Sequence, residues 1–434
     1  MIKLVLTLAG LLWASLAGAE TFYVGPSGSD SHTCLQAQNS STPRLTIAAA
    51  TSDVAFGGCA TAGNGDVVIV KNGTYTDGLT QANFVRGTSW ANALTLRAEN
   101  RHGAIIRPDS SYQAAFDFDT AATPLQYVII DGFDIDGSTL PDAGPPVYPR
   151  GLIKIWGNCT NGWVNHIRFQ HNKMHGYVST GNNGSTFVTA GDACNPNTTA
   201  LDILFNDIYE NGTDSQFSNA FYIQTGGNRI EGNTCHDNIG DCFRLSQQNA
   251  GWPQDNVVVK NICYDLTRSC VGMNGDQARN NLVANNIMYS LSGDACIDGS
   301  ESDPQDNIVV FNTCYNALYG ARFSGTRNIT RYNIFRSTGT PTVELGTGNT
   351  FSDNITADPL FVSTVTPDFH LQTGSPAIGA GSAVSGVGDD YDGLARPQGG
   401  GHDAGAYEFT EAPPATRAFG FSGVVKPSGS IQFH

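Results

Sequence analysis

The sequence predicts an all-β solenoid in which short strands wind into stacked, parallel coils. The first observation is a set of seven asparagines that recur at spacings of 27, 28, 25, 26, 21 and 21 residues: Asn206, Asn233, Asn261, Asn286, Asn312, Asn333 and Asn354. The second is that most of them follow a short segment rich in β-branched residues, bounded by Gly, Asn and Asp turns. A repeat of this length is typical of stacked coils and is shorter than a propeller blade.

Residues 1–19 have the pattern of a secretory signal peptide. Lys3 gives the positive start, residues 4–16 are mostly apolar, and Ala17-Gly18-Ala19 supplies the small residues of a cleavage site. This apolar stretch is too short to favour an anchor, and no later segment approaches the ~20 apolar residues of a membrane span. We therefore expect a secreted protein, extracellular or periplasmic.

The predicted elements follow in order along the rest of the chain. Residues 21–24 predict the first strand, residues 42–50 a short helix that caps the open end of the solenoid, and residues 66–75 the first full coil. Later strands are predicted at residues 94–97, 104–107, 127–130 and 152–156. An antiparallel sandwich would use strands of this length too, but one asparagine per coil favours parallel coils.

No linker or change in composition divides residues 60–360, so we expect a single domain over 20–410 and a C-terminal extension over 411–434. In stacked coils each asparagine would lie above the last, and the side-chain amides would bond to one another along the stack.

Charge and cysteine content restrict the partners. The formal net charge of −16 argues against nucleic acid as a partner, because nucleic-acid binding needs a basic face. We also expect the protein to be a monomer. Ten cysteines fit an oxidising compartment. The candidate pairs are Cys34/Cys59, Cys159/Cys194, Cys235/Cys242, Cys263/Cys270 and Cys296/Cys314. Bonds between coils, Cys235 to Cys263 and Cys242 to Cys270, are the alternative.

Motifs at both ends of the chain resemble a known superfamily. Tyr23-Val24-Gly25-Pro26 and Gly65-Asp66-Val67-Val68-Ile69-Val70 are similar to the N-terminal region of secreted right-handed parallel β-helix proteins of the pectate-lyase-like superfamily. Asp358-Pro359-Leu360-Phe361 and Asp403-Ala404-Gly405-Ala406-Tyr407 resemble the tail of many bacterial members. The resemblance implies that fold and an exported, carbohydrate-active protein, while the reaction depends on the site.

Strands that follow the asparagine turns can be aligned, and their alternation separates inward from outward side chains. One outward column holds Tyr222, Arg244, Gly272, Asp298 and Arg322, and a second holds Gln224, Ser246 and Asn274. Lys154 in an earlier coil falls on the same face. Parallel strands lie ~4.8 Å apart, so Arg244 and Asp298 are predicted roughly 10 Å apart, with a gap at Gly272 for a sugar ring.

The resemblance also implies a polysaccharide lyase, in which a base removes the proton α to a uronate carboxylate whose charge is neutralised. The candidate bases are Lys154, Arg244 and Lys260, and Arg322 is a candidate to bind the substrate's acid group. Tyr222, Gln224 and Asn274 are candidate substrate contacts.

Acidic residues cluster in the same part of the chain: Asp276, Asp294, Asp298, Glu301 and Asp303. Such oxygen ligands suit calcium, a candidate cofactor. Asp298 and Glu301 could instead be the carboxylate pair of a glycosidase, or these acids could simply be turn residues.

The sequence therefore predicts an enzyme that cleaves an acidic polysaccharide by β-elimination. A glycoside hydrolase on the same fold and a non-catalytic carbohydrate-binding or adhesin-like protein are the alternatives.

Overall fold

The structure is a computed structural model and describes residues 18–119, 124–141, 150–158, 162–178, 184–191, 199–213, 218–246, 252–336, 339–411, 423–425 and 431–433. Most of the predicted signal peptide, most of the C-terminal extension and the predicted pair Cys159/Cys194 lie outside these ranges. Within the described ranges, no helix is both long enough and apolar enough to cross a membrane.

Three runs of parallel strands form the faces of the coils, as the repeat predicted. The first face is a sheet of 12 strands. Its strands, in order, are Thr21–Val24, Val67–Val70, Leu94–Ala98, Gln126–Asp131, Asn165–Gln170, Asp202–Leu204, Arg229–Glu231, Val257–Val259, Leu282–Ala284, Ile308–Val310, Ile329–Arg331 and Thr350–Ser352.

The second and third faces are joined into one sheet of 19 strands, because two long strands run through both. The second face comprises Gly73–Tyr75, Ala104–Ile106, Asp134–Asp136, Lys173–His175, Asp207–Tyr209, Thr234–His236, Ile262–Tyr264, the first halves of Ile287–Gly299 and Thr313–Phe323, and Ile334–Arg336. The third face comprises Leu79–Thr80, Phe116–Phe118, Arg150–Asn158, Gly184–Gly191, Phe221–Ile223, Phe243–Ser246, Val271–Asn274, the second halves of the two long strands, and Thr340–Glu344. A short strand, Gly162–Trp163, pairs antiparallel with Arg150–Asn158.

The helices among the described residues lie near the N-terminus. They are Cys34–Ala37 and Ile47–Thr51, with 3-10 turns at Val54–Phe56, Gln81–Asn83 and Trp90–Asn92. The helix Ile47–Thr51 begins at Thr46, whose side chain accepts a hydrogen bond from the backbone N–H of Ala49. It packs on the first two strands of the first face, Thr21–Val24 and Val67–Val70. The predicted cap is therefore present, slightly later than residues 42–50.

Inward side chains fill the interior of the coils. Phe187, Phe221 and Phe243 occupy equivalent positions on successive strands of the third face, are fully buried, and have ring centroids 5.2 and 5.4 Å apart. Because parallel strands repeat every ~4.8 Å, one large side chain per coil forms a continuous stack. This packing fixes which residues of each strand face outward.

The predicted asparagine ladder lies in the turns between the first and second faces. At Asn261 the side-chain oxygen accepts from both the backbone N–H and the side-chain Nδ2 of Asn233, each at 2.9 Å, and its own Nδ2 donates to Asn286 at 3.0 Å. The same pattern runs through all seven predicted asparagines, and Asn172 adds a rung at the N-terminal end. The prediction of amide-to-amide bonding is confirmed.

A second ladder, which the sequence analysis did not identify, lies in the turns between the third and first faces. Its rungs are Asn228, Asn256, Asn281, Asn307, Asn328 and Asn349. Each of these asparagines lies five residues before a member of the first ladder. The two ladders together fix both ends of the first-face strands.

The C-terminal segment folds back over the outer side of the second face. Strands Phe361–Ser363 and Asp368–Leu371 form a hairpin, and the ring of Phe369 lies 5.3 Å from that of Tyr289. Arg396 and Glu408 form a fully buried ion pair at 2.7 Å, and Arg396 also bonds the side chain of Asn285. A further pair of short strands, Gly423–Val425 and Ile431–Phe433, lies in the extension.

Four disulfides lie within the described residues: Cys34–Cys59, Cys235–Cys242, Cys263–Cys270 and Cys296–Cys314. They follow the local pairing, and the alternative of bonds between coils is wrong.

Candidate active site

The predicted outward column is present on the third face. Tyr222 pairs with Arg244, Arg244 with Gly272, Gly272 with Asp298, and Asp298 with Arg322, each on the next strand. The residues on either side of the column point inward and are buried, including Phe221, Ile223, Phe243 and Leu245. Lys154 joins the same column through Val188.

Arg322 is held between two carboxylates. Its Nε lies 2.8 Å from Oδ1 of Asp298, its Nη2 lies 3.2 Å from Oδ2 of Asp298, and Nη2 also contacts Asp294. The side chain of Asp298 is 1% exposed and that of Asp294 is 12% exposed. The guanidinium also lies over the ring of Tyr319 at 5.0 Å. These contacts hold two carboxylates and one guanidinium together at the surface of the third face.

Arg244 is the centre of a second group. Its Nη1 lies 3.0 Å from Asp241 and its Nη2 lies 2.8 Å from Glu301. Arg268 lies beside it, with contacts of 3.8 Å to Asp241, 3.5 Å to Glu301 and 3.7 Å to Asp294. Because Asp294 touches both Arg268 and Arg322, the two groups form one network. We call these seven residues the charged cluster: Asp241, Arg244, Arg268, Asp294, Asp298, Glu301 and Arg322.

Sequence reasoning missed Asp241 and Arg268, which lie in turns and not on strands. Asp241 directly precedes Cys242, Arg268 lies two residues before Cys270, and Asp294 lies two residues before Cys296. Each of these cysteines is the residue from which a strand of the third face starts or continues, and each is in a disulfide. A charged residue one or two positions before each of these cysteines was therefore the sequence signal that could have identified Asp241 and Arg268.

The gap predicted at Gly272 is filled from within the chain. A Cβ at this position would lie 2.9 Å from Oδ2 of Asp241. Asp241 is 1% exposed and also accepts a hydrogen bond from the backbone N–H of Ser269 at 3.0 Å. The absence of a side chain at Gly272 makes room for this carboxylate, so the prediction that it makes room for a sugar ring is wrong.

The pKa values in the cluster are shifted. Burial and then the charge of Asp298 raise the pKa of Asp294, and they outweigh the opposing effect of Arg322 and Arg268. Burial alone would lower the pKa of Arg244, but the charges of Asp241 and Glu301 raise it above its ordinary value. The pKa of Tyr222 is raised, chiefly by burial. Arg244 is therefore a fixed cation and is unsuited to the role of base that the sequence suggested.

The two lysines proposed as bases lie away from the cluster. Lys154 is three strands from Arg244 along the column, roughly 14 Å, and its Nζ lies 3.2 Å from Asp117. Lys260 lies in the turn between the first and second faces, and its Nζ lies 2.7 Å from Asp389 of the C-terminal segment. The structure thus does not bring Lys260 to the outward column.

Gln224 and Asn274 lie beside the column but are only 3% exposed. With its amide turned so that both polar atoms are satisfied, Asn274 accepts a hydrogen bond from Nη2 of Arg244 at 3.3 Å. It therefore lies next to the cluster and helps to hold Arg244, while little of its own side chain is accessible.

The acids proposed as calcium ligands already have partners within the chain. Asp294 and Asp298 face the guanidinium of Arg322, and Glu301 faces Arg244. Asp276 accepts from the backbone N–H of Asp303, whose own carboxylate accepts from Gln305. Among the residues that the structure describes, no three His, Cys, Asp or Glu side chains are grouped so as to hold a metal ion. Calcium stays a prediction from the sequence.

The parallel coils define the class of fold, a right-handed parallel β-helix, and solved structures share it. A pectate lyase, Pel9A, superposes with a TM-score of 0.55 at 17% identity, over 91% of this chain and 98% of its own. A rhamnogalacturonan lyase superposes with a TM-score of 0.52 at 16% identity, over 80% of this chain and 91% of its own. No family model and no curated protein matches the sequence. At this level of identity the likeness establishes the fold.

Proposed function

We propose that this protein is a carbohydrate-active enzyme that cleaves a uronate-containing polysaccharide by β-elimination at the charged cluster. The observation that carries the proposal is the convergence of Arg244, Arg268 and Arg322 on one outward face, over four successive coils. Three guanidiniums that share buried counter-ions form a preorganised binding site for an acidic sugar. Four disulfides among the described residues support export to an oxidising compartment.

β-Elimination needs the charge of the uronate carboxylate to be neutralised before its neighbouring proton can leave. Arg244 and Arg268 both contact Asp241 and Glu301 and would bind that carboxylate. Both carry their charge throughout the working pH range, since an arginine is not deprotonated in a protein.

Asp294 is the group best suited to take the proton. Its carboxylate lies 3.7 Å from Arg268 and its pKa is raised by burial and by Asp298, which makes it a stronger base than an ordinary aspartate. The C–H bond α to the carboxylate breaks towards Asp294, the C4–C5 double bond forms, and the bond from C4 to the glycosidic oxygen breaks. Tyr222 lies three strands from the strand that carries Asp294, so water supplies the proton to the leaving oxygen.

The names of the two superposed structures, a pectate lyase and a rhamnogalacturonan lyase, support a lyase on this fold. The proposal itself depends on the site, because one fold carries many reactions.

The test is incubation with pectate, rhamnogalacturonan, alginate and glycosaminoglycans, followed by ultraviolet absorbance of the new double bond. We expect absorbance on at least one uronate polymer, and we expect Asp294→Asn to slow turnover by about 100-fold or more. Glu99→Gln, an exposed carboxylate beyond a strand of the first face, is the matched control and leaves the rate unchanged. The absence of any cleavage of these polymers would refute the proposal and favour a binding protein.

A glycoside hydrolase is the second candidate, and one specific observation favours it. Asp294 and Asp298 both contact Arg322, and the charge of Asp298 helps to raise the pKa of Asp294. Two adjacent carboxyls with separated proton affinities are what a general acid and its partner require. For this alternative we propose the pair Asp294 with Asp298, while Asp298 with Glu301 stays the prediction from the sequence. New reducing ends without double-bond absorbance would establish this alternative.

A further inference from the structure

Glu301 differs from the other carboxylates of the charged cluster. Its side chain is 47% exposed, whereas those of Asp241, Asp294 and Asp298 are 1%, 12% and 1% exposed. It lies just beyond the strand Ile287–Gly299, and Ser302, which follows it, has φ of 68°. Glu301 is therefore the one carboxylate of the cluster that sits on its solvent side.

The contacts of Glu301 are those that a bound acidic sugar would make. One oxygen lies 2.8 Å from Nη2 of Arg244 and the other lies 3.5 Å from Nη2 of Arg268. The two arginines are only 11% and 14% exposed and are held from the inner side by Asp241. Their outward nitrogens therefore point at one position, and a carboxylate already occupies it.

We propose that Glu301 is an internal competitor that occupies the seat of the substrate's carboxylate and is displaced when a hexuronate unit binds. The inference rests on the proposed function, because it concerns the same site. It adds two points: Arg244 and Arg268 select a carboxylate, and Glu301 must leave them before a substrate carboxylate can bind.

The charge balance of the cluster favours exchange over simple addition. Three guanidiniums already face four carboxylates. A fifth carboxylate added beside Glu301 would meet like charges at short range in a partly desolvated site. If Glu301 swings into solvent, the incoming carboxylate takes over its two contacts and the balance is unchanged. The group that replaces Glu301 must present two oxygens, one to Arg244 and one to Arg268. We assign a uronate carboxylate, with a sulfated oligosaccharide as the comparison.

The test compares Glu301→Gln with the wild type and with Glu99→Gln, which makes the same change of charge on the first-face side of the coils. Binding of oligogalacturonate, oligomannuronate, a sulfated oligosaccharide and a neutral xylo-oligosaccharide is measured by affinity electrophoresis at low ionic strength. We expect Glu301→Gln to bind at least one uronate oligomer roughly three- to tenfold more tightly, with neutral oligomers unaffected. Glu99→Gln should behave as the wild type.

For a polymer that is cleaved, KM should fall by a similar factor in Glu301→Gln. If Glu301→Gln binds uronates no better than Glu99→Gln does, Glu301 is not an internal competitor. Turnover slowed by about 100-fold or more would make Glu301 a catalytic residue and would also overturn the inference. A gain confined to sulfated oligomers would refute the uronate assignment. Because binding is read directly, these outcomes hold even if no polymer is cleaved, which would refute the proposed function alone.

Discussion

Replacement of Arg322 by alanine tests whether the charged cluster is a true network of partly buried ions. Arg322 is the shared partner of Asp298 and Asp294, which are 1% and 12% exposed. Removing one partner of a buried pair costs about 3–5 kcal/mol, because an uncompensated charge remains in the protein. Arg322 itself is 21% exposed, so water can reach part of the vacated space. We therefore expect a loss near the lower limit, about 3 kcal/mol at pH 7.

The loss should depend on pH with a defined sign. Without Arg322, burial and the charge of Asp298 raise the pKa of Asp294 in the folded protein further above its unfolded value. The ionised form is then penalised only in the folded state, so the deficit is greatest above the folded-state pKa and shrinks as the pH falls through it. The difference between Arg322→Ala and the wild type should be clearly smaller at pH 5 than at pH 7.

The assay is urea unfolding followed by tryptophan fluorescence, with midpoints compared only where the m-values agree. Arg327→Ala is the matched control, because the Arg327–Asp306 pair, at 2.6 Å, lies in the adjacent coil but is 59% and 38% exposed. An exposed pair contributes about 0–1 kcal/mol. If both variants lose less than about 1 kcal/mol, or if the deficit of Arg322→Ala is the same at both pH values, the cluster is an ordinary surface network.

Two further predictions concern the scaffold. Asn261→Ala removes four side-chain hydrogen bonds from a fully buried rung and should cost about 3 kcal/mol, whereas Asn354→Ala at the half-buried end of the ladder should cost about 1 kcal/mol. Equal losses in urea unfolding would contradict a cooperative ladder. The pKa of His236 is raised, because its bonds to Asp207 and Asp237 outweigh the effect of burial. The stabilisation from protonated His236 is complete below pH 6.5 and is lost as the pH rises through the folded-state pKa of His236. The Tm of the wild type should therefore fall over that interval, and the Tm of His236→Phe should not.

The fold was predictable because its signal is periodic. A stacked asparagine such as Asn261 must recur once per coil, and this recurrence fixes the register of every strand that follows it. From that register the pairing of Arg244 with Gly272 and of Asp298 with Arg322 follows, as the structure confirms. The second ladder had the same period in the sequence, and was missed because its asparagines follow irregular turns and not apolar segments.

The site was less predictable because half of it comes from turns. The alternation of a strand says where Arg244 points, but nothing local says that Asp241 folds over Gly272. The expectation that Lys260 lies at the site had the complementary weakness. The sequence neighbourhood of Lys260 resembles that of the other coils, yet Lys260 lies in a turn remote from the third face, and Asp389, 129 residues later, supplies its partner.

The disulfides explain how turn residues can hold position in such a site. A pair of partly buried opposite charges is favourable only if its geometry is kept, since both ions have lost water. Strand residues of the cluster are kept in place by the backbone ladder. The turn that carries Asp241 is tied to the preceding coil as well, because the carbonyl of Asp241 accepts from the backbone N–H of Ala220 at 2.9 Å. The turns that carry Asp241 and Arg268 are each closed by a disulfide that spans seven residues.

By the chain-entropy model a loop of this length stabilises the fold by about 2–3 kcal/mol, a modest share for a protein of this size. The larger consequence is local. Cys235–Cys242 ends at the residue after Asp241, Cys263–Cys270 encloses Arg268, and Cys296–Cys314 begins two residues after Asp294. Asparagine ladders therefore set the strands and disulfides set the turns, and the charged cluster forms where both kinds of restraint occur in successive coils.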